Sequence, residues 1–440
     1  MYPRTHNGIV KKKQQGAALI LFAVLLLLVA TATFFTYFDS SQYKVERERR
    51  TFQALAEAKV ALIGWSVGHS QFPGILPFPD RSNLDGDYDG NSDCVNTGLG
   101  YPHLLGKLPI VAQTAPCVGT GATQYGLASN LTDGHGERLW YAVSRNLIRT
   151  STAVGSLVIN PAIADTPTYP WLIVRDKNGQ IISNRVAAVI LAPGPAVGAQ
   201  NRSGGLAGPA AYLDSVTIAG NTYSNADSTL PNEDFIMAED MINVSATHPT
   251  YQQPYEFNDR LVYITIDELL AALENRVIRE AANLLRTYYI ASAVTAANRY
   301  YPYAAALGDM DNLCEEGQLQ GSLPITNPAS SCTHPNPGLT LLPTWFTESR
   351  WQDYLYYAVS GDCSFATPGC VTGGITAGVQ TNLHALLISA GRALAIQVRP
   401  SNNAADYLDS IENTDGDSIF DAVGTPRTAI YNDQMLIVAP

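Results

Sequence analysis

Two acidic runs are the residues best suited to holding an ion. Asp85, Asp87, Asp89, Asn91 and Asp93 place oxygen ligands on alternate residues, with Gly90 sixth in the run. Alternation turns such side chains inward, and Gly at position six allows the sharp bend of a calcium loop. Position twelve is Asn96 and not the bidentate Glu, so Asp93 or a distant acid would have to close the site. A second run, Asn413, Asp415, Asp417 and Asp421, has similar spacing, but Ser418 stands where such repeats carry Gly. Calcium is the expected ligand of both runs. The alternative is a solvated acidic turn held by Asx hydrogen bonds.

Other chemistry is thinly represented. Gly64-Trp65-Ser66-Val67-Gly68, followed by His69, fits the nucleophile-elbow pattern. That elbow needs a strand before the serine, whereas the residues before Ser66 have helical spacing. Ser66 is therefore expected on the last turn of a helix, and a tethered serine hydrolase is the remotest reading. The seven histidines form no His-Glu-x-x-His pair, and no phosphate loop or dinucleotide fingerprint occurs. No catalytic or cofactor-binding residue is assigned, and the chain reads as a non-enzyme. The six cysteines are expected to pair with their sequence neighbours, Cys94 with Cys117, Cys314 with Cys332, and Cys363 with Cys370. No Cys-x-x-Cys pair is present, which argues against a structural zinc site.

The elements that must carry these residues begin with an unusual start. Residues 1–16 hold Arg4, Lys11, Lys12 and Lys13 and no acid. Ala17 to Phe38 then carries no charge. A run of that size, about 33 Å as a helix, is long enough to cross a bilayer. The basic flank would stay in the cytoplasm and the rest of the chain would lie outside. Beyond the run, Lys44 to Arg50 mixes charges, and Phe52, Leu55, Ala56, Lys59, Leu62 and Ile63 continue at helical spacing to about Gly68. The 440-residue chain has only 15% charged residues, a formal net charge of -12, and many Gly, Pro and Tyr. That balance leaves no electrostatic footprint for nucleic acid and favours sheets and turns over a helical bundle.

A basic leader ending in Gly16, followed at once by an apolar helix, resembles a type IV pilin or type II secretion pseudopilin precursor. The resemblance implies cleavage between Gly16 and Ala17 by a prepilin peptidase, N-methylation of Ala17, and assembly with other pilin or pseudopilin subunits. The family's major subunits carry Glu at mature position five, where this chain has Leu21. Its absence is typical of minor subunits at a fibre tip. Asp133-Gly134-His135-Gly136-Glu137-Arg138-Leu139-Trp140-Tyr141 is similar to the segment that opens the sheet in major pseudopilins, with His135 in place of Trp.

The body reads as a duplication. Trp140 to Ser144 matches Tyr356 to Ser360, and Ala188 to Gly194 matches Ala385 to Gly391. Tyr212-Leu213-Asp214-Ser215 recurs as Tyr407-Leu408-Asp409-Ser410, and Asn258-Asp259 as Asn432-Asp433. A second amphipathic helix is expected over about 266–300. The expected fold is α+β, a long pilin-type helix with a membrane half and an amphipathic half, followed by two tandem helix-on-antiparallel-sheet heads. The divisions are a leader over 1–16, a transmembrane helix over 17–38, a first head over 39–265 and a second over 266–440. The expected function is a minor pilin or pseudopilin at or near the tip of a type IV pilus or type II secretion pseudopilus. A tip adhesin or DNA-uptake receptor on the same anchor is the alternative. The expected place is the bacterial inner membrane, single-pass, with the heads outside the cytoplasm.

Overall fold

Helix α1 runs without a break from Gln15 to Gly68. It stops where Gly74, with φ of 99°, and a proline-rich segment turn the chain back. The structure is a computed structural model. It describes residues 15–81, 88–94, 102–111, 126–127, 129–151, 155–198, 200–203, 207–227, 234–237, 241–247, 254–325, 332–334, 342–394 and 396–439, with the side chains of 15–21, 30–41 and 241–256 excepted.

The first sheet contains β1 (His103–Lys107), β2 (Trp140–Ser144), β3 (Leu172–Asp176), β4 (Ile181–Ala192), β7 (Asp234–Met237) and β10 (Arg260–Thr265), with the hairpins β5–β6 (Ser215–Ile218, Asn221–Ser224) and β8–β9 (Met241–Thr247, Pro254–Phe257) beside it. The long strand β4 is its centre. Its second half is flanked by β2 and β10, and its first half by β3. Helix α2 (Ile266–Ser292) follows β10 directly. Thr265 caps it by accepting from the Glu268 amide at 3.1 Å, and Asp267 and Glu268 add favourable charge to the first turn.

The second half holds a four-stranded antiparallel sheet, β11 (Gln320–Ser322), β12 (Leu355–Val359), β15 (Ala385–Ser389) and β17 (Gln434–Ala439). A small sheet of β13 (Ile375–Ala377), β14 (Gln380–Leu383) and β16 (Ile419–Phe420) lies beside it, with short helices α3 (Thr344–Glu348) and α4 (Ile411–Thr414).

The two main sheets share details that sequence matching alone does not disclose. Tyr141 donates its hydroxyl to the Pro77 carbonyl at 3.3 Å, and Tyr357 donates to Pro302 at 3.0 Å. Lys107 exchanges backbone bonds with Asp80, as Ser322 does with Ala305. Both exchanges depend on a neighbouring glycine. A Cβ on Gly106 would meet the Asp80 oxygen at 2.3 Å, and one on Gly321 the Ala305 oxygen at 2.1 Å.

Four expectations require correction. No helix, over the described residues, is long and apolar enough to cross a membrane. This overturns the membrane half of the spine, the single-pass character and the inner-membrane placement. The architecture of two helix-on-antiparallel-sheet heads is overturned as well. The strands form several small sheets, and β3 with β7 and β13 with β16 pair in parallel. A single core joins both halves, running from Leu55 and Leu62 of α1 through Tyr141 and Ile190 to Leu273 and Val277 of α2, and on to Tyr357 and Leu387. Helix α2 is thus buried on both sides. Separate apolar clusters cover the outer faces of the two sheets, around Trp140 and Leu172 in the first and Tyr356 and Ile388 in the second. Coverage on both faces explains why β12 and β15 read as continuous apolar runs and not as alternating ones.

Candidate functional site

The most ordered polar constellation occurs twice. In the first half Asp259, at the start of β10, accepts from the Asp214 amide at 2.8 Å and from Asn225 Nδ2 at 3.0 Å. Asp214 in turn accepts from the Asn258 amide at 2.9 Å and from Gln200 Nε2 at 2.8 Å. Arg202 donates to the carbonyls of Gly194, Ala211 and Tyr212 and to Gln200 Oε1, with its guanidinium 4.9 Å from the centre of the Tyr212 ring. In the second half Asp433 accepts from the Asp409 amide and Asn413 Nδ2, both at 3.0 Å. Asp409 accepts from the Asn432 amide at 2.6 Å and Gln397 Nε2 at 3.0 Å. Arg399 donates to Gly391, Asp406 and Tyr407 carbonyls and to Gln397.

Each hub ties three loops to the end of a sheet, and each places two carboxyl groups in a buried site. Burial, and then the Asp214 charge, push the Asp259 carboxyl well above the usual range. Asp214 is pushed up to about 6 by burial. Burial and the Asp409 charge push Asp433 up to about 7. Asp259 Oδ1 and Asp433 Oδ1 are buried without a hydrogen-bond partner, so a proton on that oxygen is the least costly way to bury the group. Asp214, Asp409 and the remaining oxygens of Asp259 and Asp433 face N–H donors, an arrangement that stabilises carboxyl groups and does not offer lone pairs to a metal. Asp259 is 1% exposed and Asp433 3%, which leaves no approach for a substrate.

Two openings lie nearby. A cavity of about 190 Å³ is lined by Asp267, Leu270 and Glu274 of α2 and by Arg392, Arg427 and Asn432 of the second half. Its charges are paired across the halves. Arg185 of β4 holds Asp267 at 2.8 Å and Asp165 at 3.0 Å, and Arg392 holds the same two acids at 3.1 and 3.7 Å. Glu274, 1% exposed, is paired with Arg427. Burial pushes Glu274 up to about 7, against the lowering effect of Arg427. A larger cleft of about 690 Å³ lies between α1 and the first sheet, with Arg47, Glu48 and Phe52 on one wall and His135, Gly194 and Arg260 on the other.

The segment from Asp133 to Tyr141 sits at that cleft. The Asp133 carboxylate accepts from the amides of His135, Glu137 and Gly194 at 2.8–2.9 Å. The Gly134 amide donates to Thr51 of α1 at 3.0 Å. A Cβ on Gly134 would lie 2.1 Å from the Arg47 carbonyl oxygen, so glycine is required for this approach to the spine. Arg260 bonds Glu48 at 3.1 Å across the same junction.

The acidic runs are partly committed elsewhere. Asp85 and Asp87 lie outside the described residues. Asp89 accepts from the backbone and side-chain amides of Asn91. Asp93 is buried and accepts from the Arg81 amide. In the second run Asn413 belongs to the hub and accepts from the Asp421 amide at 2.9 Å. Asp415 and Asp417 each accept from an amide two residues on, the geometry of Asx turns. Ser66 lies inside α1 with its hydroxyl fully buried, and the His69 ring accepts from the Phe72 amide, so the two residues form no elbow. Disulfides join Cys314 to Cys332 and Cys363 to Cys370. Cys94 is disulfide-bonded, and Cys117 lies outside the described residues. Gly16 and Ala17 fall in the first turn of α1, and residues 1–14 lie outside the description.

The Gln-x-Arg pairs, Gln200 with Arg202 and Gln397 with Arg399, were not singled out from sequence. Their signal was the equal spacing after Gly194 and Gly391. Comparison with protein-family models, with curated proteins and with solved structures finds no match to this chain.

Proposed function

We propose that this chain is a minor subunit of the type IV pilin or type II secretion pseudopilin kind, placed at or near a fibre end. One observation carries the reading. Helix α1 is a single 54-residue rod, and among its described side chains those that enter the core belong to its C-terminal part, Ala54 to Leu62. Toward its start Phe22, Val24, Leu25 and Leu26 are 53–65% exposed. Further along, Val45, Phe52 and Val60 form an outward apolar stripe at 50–70% exposure. A rod with apolar residues on surfaces its own body does not cover is suited to packing against the rods of other subunits. The Gly16–Ala17 junction supplies the cleavage signal of such subunits, and Leu21 removes the carboxylate that their repeating members share. Prepilin peptidase and other pilin-like subunits are the partners this reading requires.

Mass spectrometry of the protein from cells that contain prepilin peptidase tests it. The expected N-terminus is N-methyl-Ala17, and Gly16→Asp should leave the chain uncut. An N-terminus at Met1 in the unsubstituted protein would sink the proposal. Immunogold labelling should mark fibre ends, and labelling along the whole length would refute the end placement.

A further inference from the structure

The two hubs provide an internal comparison. Because Asp214 and Asp409 play the same part, as do Asn258 and Asn432, residues between them can be matched by role. In the first half the chain from Asp214 to Asp259 runs through β5 to β9. Val216, two residues past Asp214, is 1% exposed and packs against Ile236 and Phe257. In the second half the chain from Asp409 to Asp433 is much shorter and holds only α4 and β16. Ile411, in the place of Val216, is 85% exposed. Ile430, two residues before Asn432, is 81% exposed, and its counterpart is Glu256. Ile396, just before Gln397, is 92% exposed, and its counterpart is Ala199.

These three isoleucines rim a groove of about 260 Å³ floored by Leu394 and Leu408. In the first half Ile236 and Phe257 cover Val216, whereas Ile411 stands open to solvent. The segments forming the walls, 394–398, 404–414 and 429–430, carry Asp406, Asp409 and Glu412 and no Lys or Arg. Arg399 spends its donors inward on backbone carbonyls. Three large aliphatic side chains on an acidic rim cannot be matched by a second copy of the same patch, since like charges would face each other. They are complementary to an apolar segment that carries Lys or Arg.

We propose that the Ile396–Ile411–Ile430 groove is a docking site for a partner segment with aliphatic side chains flanked by basic ones. The partner puts aliphatic side chains where Ile236 and Phe257 stand in the first half, and its cations meet Asp406 and Glu412. The inference is independent of the fibre reading, and neither fails with the other.

The test uses the full chain and a fluorescein-labelled 14-residue Lys/Leu peptide of amphipathic pattern, with Lys/Ser and Glu/Leu peptides for comparison. Fluorescence anisotropy should show the Lys/Leu peptide binding most tightly, with affinity falling as salt rises. Ile411→Asp with Ile430→Asp should weaken it at least tenfold. Val294→Asp, at an equally exposed position at the end of α2, should change it less than twofold. Circular dichroism should be unchanged in all variants, since each replaced side chain faces solvent. The proposal is overturned by any of four results. These are no binding of the Lys/Leu peptide, equal binding of the Glu/Leu peptide, groove variants that bind like the unsubstituted chain, or a dimer in sedimentation that the groove variants dissolve.

Discussion

Replacing Asp433 by Asn isolates the consequence of burying a carboxyl group in the second hub. Asp433 is 3% exposed, and burial together with Asp409 raises it from 3.8 to about 7. A carboxyl group whose folded value lies above its unfolded one keeps its proton in the folded state while the unfolded chain has lost it. Its contribution to stability is therefore full at acid pH and is lost as pH rises toward 7. The slope is about 1.4 kcal/mol per pH unit for one proton and falls to half that as pH reaches 7, so about 2 kcal/mol is lost between pH 5 and pH 7. In Asp433→Asn the amide oxygen can still accept from the Asp409 amide and Asn413 Nδ2. The amide nitrogen takes the place of Oδ1, which has no partner. The variant cannot titrate at this position. Urea unfolding followed by tryptophan fluorescence at pH 5, 6, 7 and 8 gives the comparison. The stability of Asp433→Asn relative to the parent should rise by about 2 kcal/mol from pH 5 to pH 7 and then level off. Asp409 and Asp433 titrate as a pair, so the change belongs to the pair. Parallel pH profiles for the two proteins would refute the reasoning.

Arg427→Met should cost about 3–5 kcal/mol at pH 8, because it strands the Glu274 carboxylate in a site that is 1% exposed. Adding Glu274→Gln should recover most of that loss in urea unfolding. A double variant no more stable than Arg427→Met would show that the pair is not the cause. Calcium remains our proposal for the loop from Asp85 to Asp93, where Asp93 is committed to the Arg81 amide and the ion would have to draw Asp89 away from Asn91. At ten times its dissociation constant, calcium should add about 1.4 kcal/mol, and Asp87→Ala with Asp89→Ala should remove the gain. Equal melting in calcium and in chelator would leave the loop as an Asx-stabilised turn.

The repeated strings were visible in the sequence, but their meaning was not. Tyr-Leu-Asp-Ser and Asn-Asp recur because Asp214 with Asp259, and Asp409 with Asp433, close the same hydrogen-bonded hub across loops of different length. Sequence order cannot show that closure. Arg202 went unnoticed because its work is done mainly on backbone carbonyls, which carry no residue identity, and Gln200 because its side-chain partners are Asp214 and Arg202 themselves. Asn413 was read as a calcium ligand from its alternating spacing, yet its amide is spent on Asp433. The uncharged run from Ala17 was read as a membrane span from length and hydropathy, and the described part of α1 does not meet that requirement. The shared core escaped notice for a different reason. An amphipathic pattern shows that α2 has an apolar face, but not that sheets from both halves reach it.

The place of α2 also sets an order of events during synthesis. Its face toward the second sheet is completed by β17, where Arg286 donates to the carbonyls of Ile437 and Val438. About 140 residues separate the end of α2 from the start of β17. At ribosomal speeds of about 5–20 residues per second, the helix waits roughly 10–30 s for its last cover. During that interval the first half carries an unfinished apolar surface on which chaperones can act. A transcript cut short ahead of Gln434 would make the interval permanent. The closing strand therefore sets the moment at which the second face of α2 leaves solvent.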